Sequence, residues 1–144
     1  MYDVIIIGGG PAGLTAAIYT SRSHLSTLVL EPQLEGGQMA QTLNVENYPG
    51  IVDGESGMAI GMRMKQQALS FGAEIKKERV EKLGVDDDEK IVSTSKGDYR
   101  AKYVIVATGC TPNQLGVPGE SEFASRGVSY CATCDGAFYG NGEV

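Results

Sequence analysis

Apolar positions first fall into a short unbroken run, Val4 to Ile7, rich in β-branched residues and closed by Gly8. That is the pattern of a strand buried on both faces of a parallel sheet, expected over Asp3 to Ile7. Ala12 to about Arg22 then reads as a helix, with Ala12, Leu14, Ala16, Ala17 and Ile18 spreading apolar surface around most of its circumference. A second strand, Thr27 to Leu30, completes a βαβ unit. From Pro32 to Gly50 turn formers outnumber periodic positions, which predicts a loop with one short ordered piece. A loop of this length within a compact domain is usually functional.

A second helix is expected over Ser56 to Phe71, with Ile60, Met64, Ala68 and Phe71 at helical spacing and Gly72 placed to end it. Gly61 in its interior runs against helix propensity. After Ala73 the pattern changes to strands, at Glu74 to Lys76, Val80 to Val85 and Ile91 to Thr94. The acidic run Asp86 to Glu89 sits at the tip between the last two. Its adjacent carboxylates read as a solvated hairpin turn rather than a metal site. Tyr99 to Ala101 adds a short strand, and Tyr103 to Ala107 a separate buried parallel one that closes on Thr108-Gly109. Beyond Pro112 the chain is loop-like as far as a pair of cysteines, and no internal repeat is present. The fold class is therefore α/β, a parallel sheet of Rossmann-like type with a small antiparallel hairpin or meander.

Composition narrows the choice. With 144 residues, of which 42% are hydrophobic, the chain has the size of one globular domain with a sizeable core. Its 20 glycines are about twice the usual share of roughly 7%, without a repeat to explain them, so they serve turns and close backbone approaches. A net charge of -6 argues against nucleic acid or anionic membrane as partner, because phosphate binding needs clustered Lys and Arg. Met1-Tyr2-Asp3 lacks the basic region of a signal peptide, and the first apolar run is far shorter than the roughly 18 residues of a spanning helix. A cytoplasmic location is expected.

Gly8-Gly9-Gly10-Pro11-Ala12-Gly13 matches GxGxxG at the point where a buried strand gives way to a helix. Gly8 permits the tight turn, Gly10 lets the backbone approach a pyrophosphate, and Gly13 lets the helix pack closely on the strand. The helix N-terminus adds free N–H groups and positive dipole. Glu31, at the end of the second strand, is placed to accept hydrogen bonds from a ribose, which turns a weak motif into a dinucleotide site. Alone, Glu31 would read as an ordinary surface carboxylate.

Three cysteines, two of them in Cys131-Ala132-Thr133-Cys134, do not resemble a secreted disulfide framework. Redox or metal chemistry remains for the pair. Cysteines three apart can be bridged on a turn or at a helix start, where the dipole also lowers a thiol pKa. Half of a zinc site would need two further ligands, for which the chain offers Cys110 and its single histidine, His24, in unrelated segments. No metal site is expected, and Cys110 reads as a small buried residue. Asp135 stands where a carboxylate could exchange protons with a thiolate, or could simply cap a turn.

Taken in order, Ile5 to Gly13, Gly36-Gly37-Gln38, Val45 to Gly50, Ala107-Thr108-Gly109 and Cys131 to Gly136 resemble the low-molecular-weight thioredoxin reductases, an FAD-dependent branch of the pyridine nucleotide-disulfide oxidoreductases. The late cysteine pair followed by Asp-Gly is the most specific element, since relatives of the glutathione reductase type carry theirs soon after the first glycine loop. The resemblance implies that Gly8, Gly10, Pro11, Ala12 and Gly13 hold the FAD pyrophosphate and Glu31 its ribose. It also implies that Gly37, Gln38 and Asn47 lie on the flavin side, that Val80 offers backbone to the adenine, and that Ala107, Thr108 and Gly109 line the same cleft. Cys131 and Cys134 would cycle between disulfide and dithiol, with Asp135 as proton donor and acceptor. The reaction implied is thioredoxin-disulfide reduction, from NADPH to FAD to the cysteine pair to thioredoxin, in a homodimer.

By the same resemblance, residues 1–115 are the N-terminal part of an FAD-binding domain. Residues 116–144 are then a linker and the start of a pyridine-nucleotide domain carrying the pair. Only one GxGxxG is present, so the NADPH site is not in this chain, and an N-terminal portion inactive alone is expected, with FAD held weakly or not at all. Two rivals share the motifs: the flavoprotein reductase of a peroxiredoxin, which carries a thioredoxin-like region ahead of its glycine loop, and a non-catalytic FAD-binding remnant.

Overall fold

The computed structural model describes residues 1–51, 54–124, 126–132, 136 and 140. Cys134 and Asp135 lie outside the described residues. The chain groups into two compact units, one of Met1–Glu46 with Gly50–Gly109, the other of Asn47–Pro49 with Cys110–Val144.

The first unit runs β1 (Tyr2–Ile7), α1 (Pro11–Arg22), β2 (Thr27–Leu30), a 3-10 turn (Gly37–Gln41), α2 (Gly57–Ser70), β3 (Glu74–Lys76), β4 (Val80–Asp86), β5 (Glu89–Thr94) and β6 (Gly97–Val106). Its strands form one six-stranded sheet in the order β3-β2-β1-β6-β5-β4. The β3-β2-β1-β6 ladders are parallel and the β6-β5-β4 ladders antiparallel. This is the α/β, Rossmann-like architecture with an antiparallel extension that the sequence pattern predicts.

A flat sheet of this order is impossible. Five strand spacings would set β3 and β4 about 24 Å apart, whereas the link from Lys76 to Val80 reaches at most about 14 Å. The hairpin therefore folds back over one face of the parallel part. Alternation along β1 serves both faces. Val4 and Ile6 pack with Ala17 and Ile18 of α1 and Ala68 of α2, while Ile5 and Ile7 pack with Leu28, Leu30, Val92 and Ala101. Ser56 caps α2 by accepting from the Ala59 N–H.

Three expectations need correction. First, α1 buries one stripe, Gly13, Leu14, Ala17, Ile18 and Ser21, rather than most of its circumference, and Ala12 is exposed. Second, Tyr99–Ala101 and Tyr103–Val106 belong to one strand, β6, which ends just before Ala107. Arg100 and Lys102 break the apolar pattern there without breaking the strand, because the ladders to β5 and β1 overlap at Ala101 between them; at the surface Arg100 pairs with Asp86 and Glu89, and Lys102 with Asp3. Third, the C-terminal part of β6 is only partly buried: Val104 and Ile105 are half-buried against the core clusters. Its pairing with β5 ends at Ala101, and Tyr103 and Val106 stay 68% and 62% exposed. The acidic tip is the solvated turn expected, with Asp87 in the left-handed region at φ 51°.

The fold-back is pinned by Glu78, which the sequence pattern did not single out. Its buried carboxylate accepts from the Thr94 hydroxyl at 2.8 Å and the Tyr99 hydroxyl at 3.0 Å, and Lys96 lies 3.7 Å away. The Thr94 hydrogen bond, then that of Tyr99 and the nearby lysines, outweigh desolvation and hold its carboxyl below the usual range. A depressed pKa contributes stability that is complete above the ordinary carboxylate value of about 4.3 and is lost as pH falls through the folded value. Accordingly, Glu78→Gln is expected to lower the thermal midpoint at pH 7 and to flatten its decline between about pH 5 and pH 3. Scanning calorimetry across that window checks both; an unchanged midpoint at pH 7 would rule out the pinning role.

Candidate functional site

The end of β1 delivers the chain into the glycine loop, and its geometry is set by backbone crowding. Gly8 has φ +108°, and a Cβ there would lie 2.2 Å from the Ala107 carbonyl oxygen. A Cβ on Gly13 would lie 1.9 Å from the Gly8 carbonyl oxygen. Neither position can accept a side chain without backbone movement. Gly10 is different: a Cβ there would meet only the Gly37 Cα, at 3.9 Å. That leaves room on the face of the loop for a ligand.

Gly10 is also the N-cap of α1, with Pro11 at the first helical position, no side-chain cap and no acidic residue in the first turn. The exposed start of this helix thus offers N–H groups and positive dipole with nothing of its own to occupy them. Such a cradle suits a pyrophosphate, and the residues present fit the group that the motif implies.

A second loop closes on the first. The Gly36 N–H donates to the Gly9 carbonyl at 2.8 Å, and a Cβ on Gly37 would come within 3.2 Å of the Gly10 Cα. Two features of α2 permit this. Gly61 has no side chain where a Cβ would sit 2.9 Å from the Gly36 Cα, and Lys65 pairs with Glu35 at 2.7 Å. The helix-interior glycine that looked unfavourable is therefore a packing requirement of the loop. Gln38, on the 3-10 turn, is exposed beside it.

Glu31 turns toward the glycine loop. One carboxylate oxygen accepts from the Gly9 N–H at 2.6 Å and the other from the Gln33 N–H at 2.8 Å. A carboxylate has about four acceptor positions, so two remain for a ribose diol. Its own N–H donates to the Lys76 carbonyl, four residues before Val80, which is half-buried at the start of β4. Ala107 reaches the loop from the other side: its N–H donates to the Ile7 carbonyl at 2.8 Å. Thr108 and Gly109 follow it, exposed. The first unit thus gathers Gly8, Gly10, Pro11, Ala12, Gly13, Glu31, Gly37 and Ala107 into one place.

Asn47 and Cys131 belong to the second unit. Asn47 is exposed, and Cys131 is disulfide-bonded. Its sulfur is accordingly no thiolate ligand. Among the described residues no group of three or more His, Cys, Asp or Glu is placed to hold a metal ion. Cys110, expected to be buried, carries an exposed thiol, because β6 ends at Val106 and the chain leaves the sheet before reaching it. Ahead of Cys131, the buried carboxylate of Glu120 accepts from the Leu115 N–H at 2.9 Å, the Gly116 N–H at 2.6 Å and the Tyr130 hydroxyl at 2.6 Å. No sequence signal had marked this residue. No described helix is long and apolar enough to cross a membrane.

Comparison with known proteins bears on this geometry. Residues 2–143 match the family model described as pyridine nucleotide-disulphide oxidoreductase. The chain belongs to that family. Among its relatives, the thioredoxin reductase of Treponema pallidum (strain Nichols) is 50% identical over 143 residues, 99% of this chain and 47% of that protein. The thioredoxin reductase of Bacillus subtilis (strain 168) is 48% identical over 144 residues, 100% of this chain and 45% of that protein. A crystal structure of thioredoxin reductase from Streptococcus pyogenes superposes with a TM-score of 0.90 at 50% identity, covering 96% of this chain and 45% of that one. The chain thus spans slightly under half the length of these pyridine nucleotide-disulphide oxidoreductases.

Proposed function

We propose that this chain supplies the flavin cradle and the redox cysteine pair of a thioredoxin-disulfide reductase. The observation that carries the reading is a disulfide-bonded Cys131 within Cys-Ala-Thr-Cys, in a chain whose glycine loop is shaped for a dinucleotide. The Cys131 disulfide is read as closing on Cys134. Relatives named thioredoxin reductase at 45–50% identity over the whole chain support the substrate class.

In this reading the α1 N-terminus and Gly10 hold the FAD pyrophosphate, Glu31 orients the ribose, and Gly37, Gln38 and Asn47 attend the flavin side. Val80 meets the adenine, while Ala107, Thr108 and Gly109 line the cleft. FAD, when bound, relays two electrons from NADPH to the disulfide. The chain's own contribution is thiol chemistry. Cys131 and Cys134 take up two electrons and two protons to become a dithiol. One thiolate then attacks the thioredoxin disulfide and releases one of its sulfurs as a thiolate. The remaining cysteine displaces the second thioredoxin sulfur and closes the pair again. Asp135 is assigned the proton exchange with the leaving thiolate. Residues 1–115 are read as the N-terminal part of the flavin domain and residues 116–144 as a linker and the start of the pyridine-nucleotide domain that carries the pair. The complete enzyme is read as a cytoplasmic homodimer.

Exchange in the reverse direction needs neither flavin nor NADPH. The oxidised chain, mixed with fully reduced thioredoxin, is expected to yield dithiol chain and oxidised thioredoxin in equal amounts. Alkylation and mass spectrometry of both proteins follow the exchange, and no transfer at equilibrium would count against the substrate assignment. Added FAD alone is expected to bind weakly or not at all; a stoichiometric yellow protein after gel filtration would contradict that expectation.

A further inference from the structure

We infer that Glu120 is a positioning residue for the redox pair, acting through Tyr130 to set the stability of the Cys131 disulfide; this rests on the redox reading above. The carboxylate of Glu120 is 6% exposed and fastens three points of the second unit. Two are the N–H groups of Leu115 and Gly116, at 2.9 and 2.6 Å. The third is the hydroxyl of Tyr130, at 2.6 Å, the residue directly before Cys131. One side chain thereby ties the start of the segment to the residue that leads into the disulfide.

Packing does not do this work instead. Tyr130 is 44% exposed and borders an open cavity of about 310 Å³ shared with Leu115, Val117, Phe123 and Val128, so its ring has space to swing. Its hydroxyl bond to Glu120 is what holds it. Beyond Tyr130, the Cys131 N–H donates to the Ser129 hydroxyl at 3.1 Å, which makes Ser129, Tyr130 and Cys131 one short stiff stretch. The geometry also favours an ionised Glu120: the Tyr130 hydroxyl, followed by the Leu115 amide, holds its carboxyl below the usual range. A short charge-assisted bond of this kind is among the stronger tethers a side chain can make.

The redox consequence follows from ring closure. A disulfide between nearby cysteines is favoured by the effective concentration of one sulfur around the other, and that concentration is highest when their backbone is already fixed. Releasing Tyr130 frees the leading side of Cys131, lowers the effective concentration and makes the disulfide easier to reduce. About a tenfold change in the equilibrium is expected, equal to about 30 mV toward more oxidising potential for a two-electron couple.

The test is equilibration of the full chain with glutathione buffers of varied ratio. In the exchange, two glutathione thiols reduce the disulfide and leave as glutathione disulfide. Wild type, Tyr130→Phe and Glu120→Gln are compared after acid quench and alkylation. Tyr130→Phe keeps the ring and removes only the tether, so a merely structural role predicts an unchanged potential. Both variants are expected to shift by about tenfold in the same direction, with circular dichroism like wild type. If the wild-type pair titrates reversibly while Tyr130→Phe gives the same equilibrium constant within twofold, the positioning role is overturned and the redox reading stands. If the wild-type pair does not titrate at all, the redox reading itself fails.

Discussion

Changing Cys131 to serine is expected to reduce exchange with thioredoxin to the level of a control without protein, while leaving the six-stranded sheet intact. The reason is chemical rather than structural. A hydroxyl forms no disulfide and is a far weaker nucleophile than a thiolate at neutral pH, whereas Cys131 is half-buried and far along the chain from the core clusters. Thiol counting separates this from unfolding. The oxidised wild type should label one cysteine, Cys110, whose thiol is exposed. The variant should label two, Cys110 and Cys134, at an unchanged thermal midpoint. A variant that retained exchange above a tenth of the wild-type extent would show that the pair is not the site of electron transfer.

Gly13→Ala is expected to produce a large structural effect for a single added methyl group, centred on the glycine loop. The added Cβ would sit 1.9 Å from the Gly8 carbonyl oxygen and 3.0 Å from its carbon, and backbone atoms cannot rotate away as a side chain can. Either α1 moves off β1 or the Gly8 turn opens. Overpacking of this kind costs about 1–3 kcal/mol, a large part of the roughly 5–15 kcal/mol that a domain has. It also displaces the N-terminus of α1, so any dinucleotide affinity should fall together with stability. Gly84→Ala is the matched control, since its Cβ would meet only the Ile91 Cβ at an ordinary 3.8 Å. Urea unfolding should separate the two variants clearly. Equal midpoints would mean that the loop is not crowded as described.

Local signals in the sequence were enough wherever one element decides its own structure. β2 falls on the expected residues because Thr27–Leu30 is an apolar, partly β-branched run with Pro32 soon after it, and β3 falls on Glu74–Lys76, where Ile75 follows the helix-ending Gly72. The glycine loop and Glu31 converge because a βαβ unit has few ways to fold. Features that depend on distant partners were not legible. Continuity of β6 rests on its backbone pairing with β5 and then with β1, which is distant in the sequence, while Arg100 and Lys102 find acids from other strands at the surface. The value of Gly61 rests on Gly36, some 25 residues earlier. Glu78 and Glu120 were not singled out, since nothing in their neighbourhood announces the tyrosines that meet them. Exposure of Tyr103 and Val106 was missed for a related reason: β-branched and aromatic residues mark a strand but do not say whether another element covers it.

The most direct measurement is a count of reactive thiols in the denatured chain, taken after oxidation by thioredoxin disulfide and again after mild reduction. Expected are one labelled cysteine in the first state and three in the second, with Cys110 as the constant site and no metal released at either step. Three labelled cysteines in both states, or zinc appearing as the pair becomes reactive, would contradict a disulfide that opens and closes at Cys131 and Cys134.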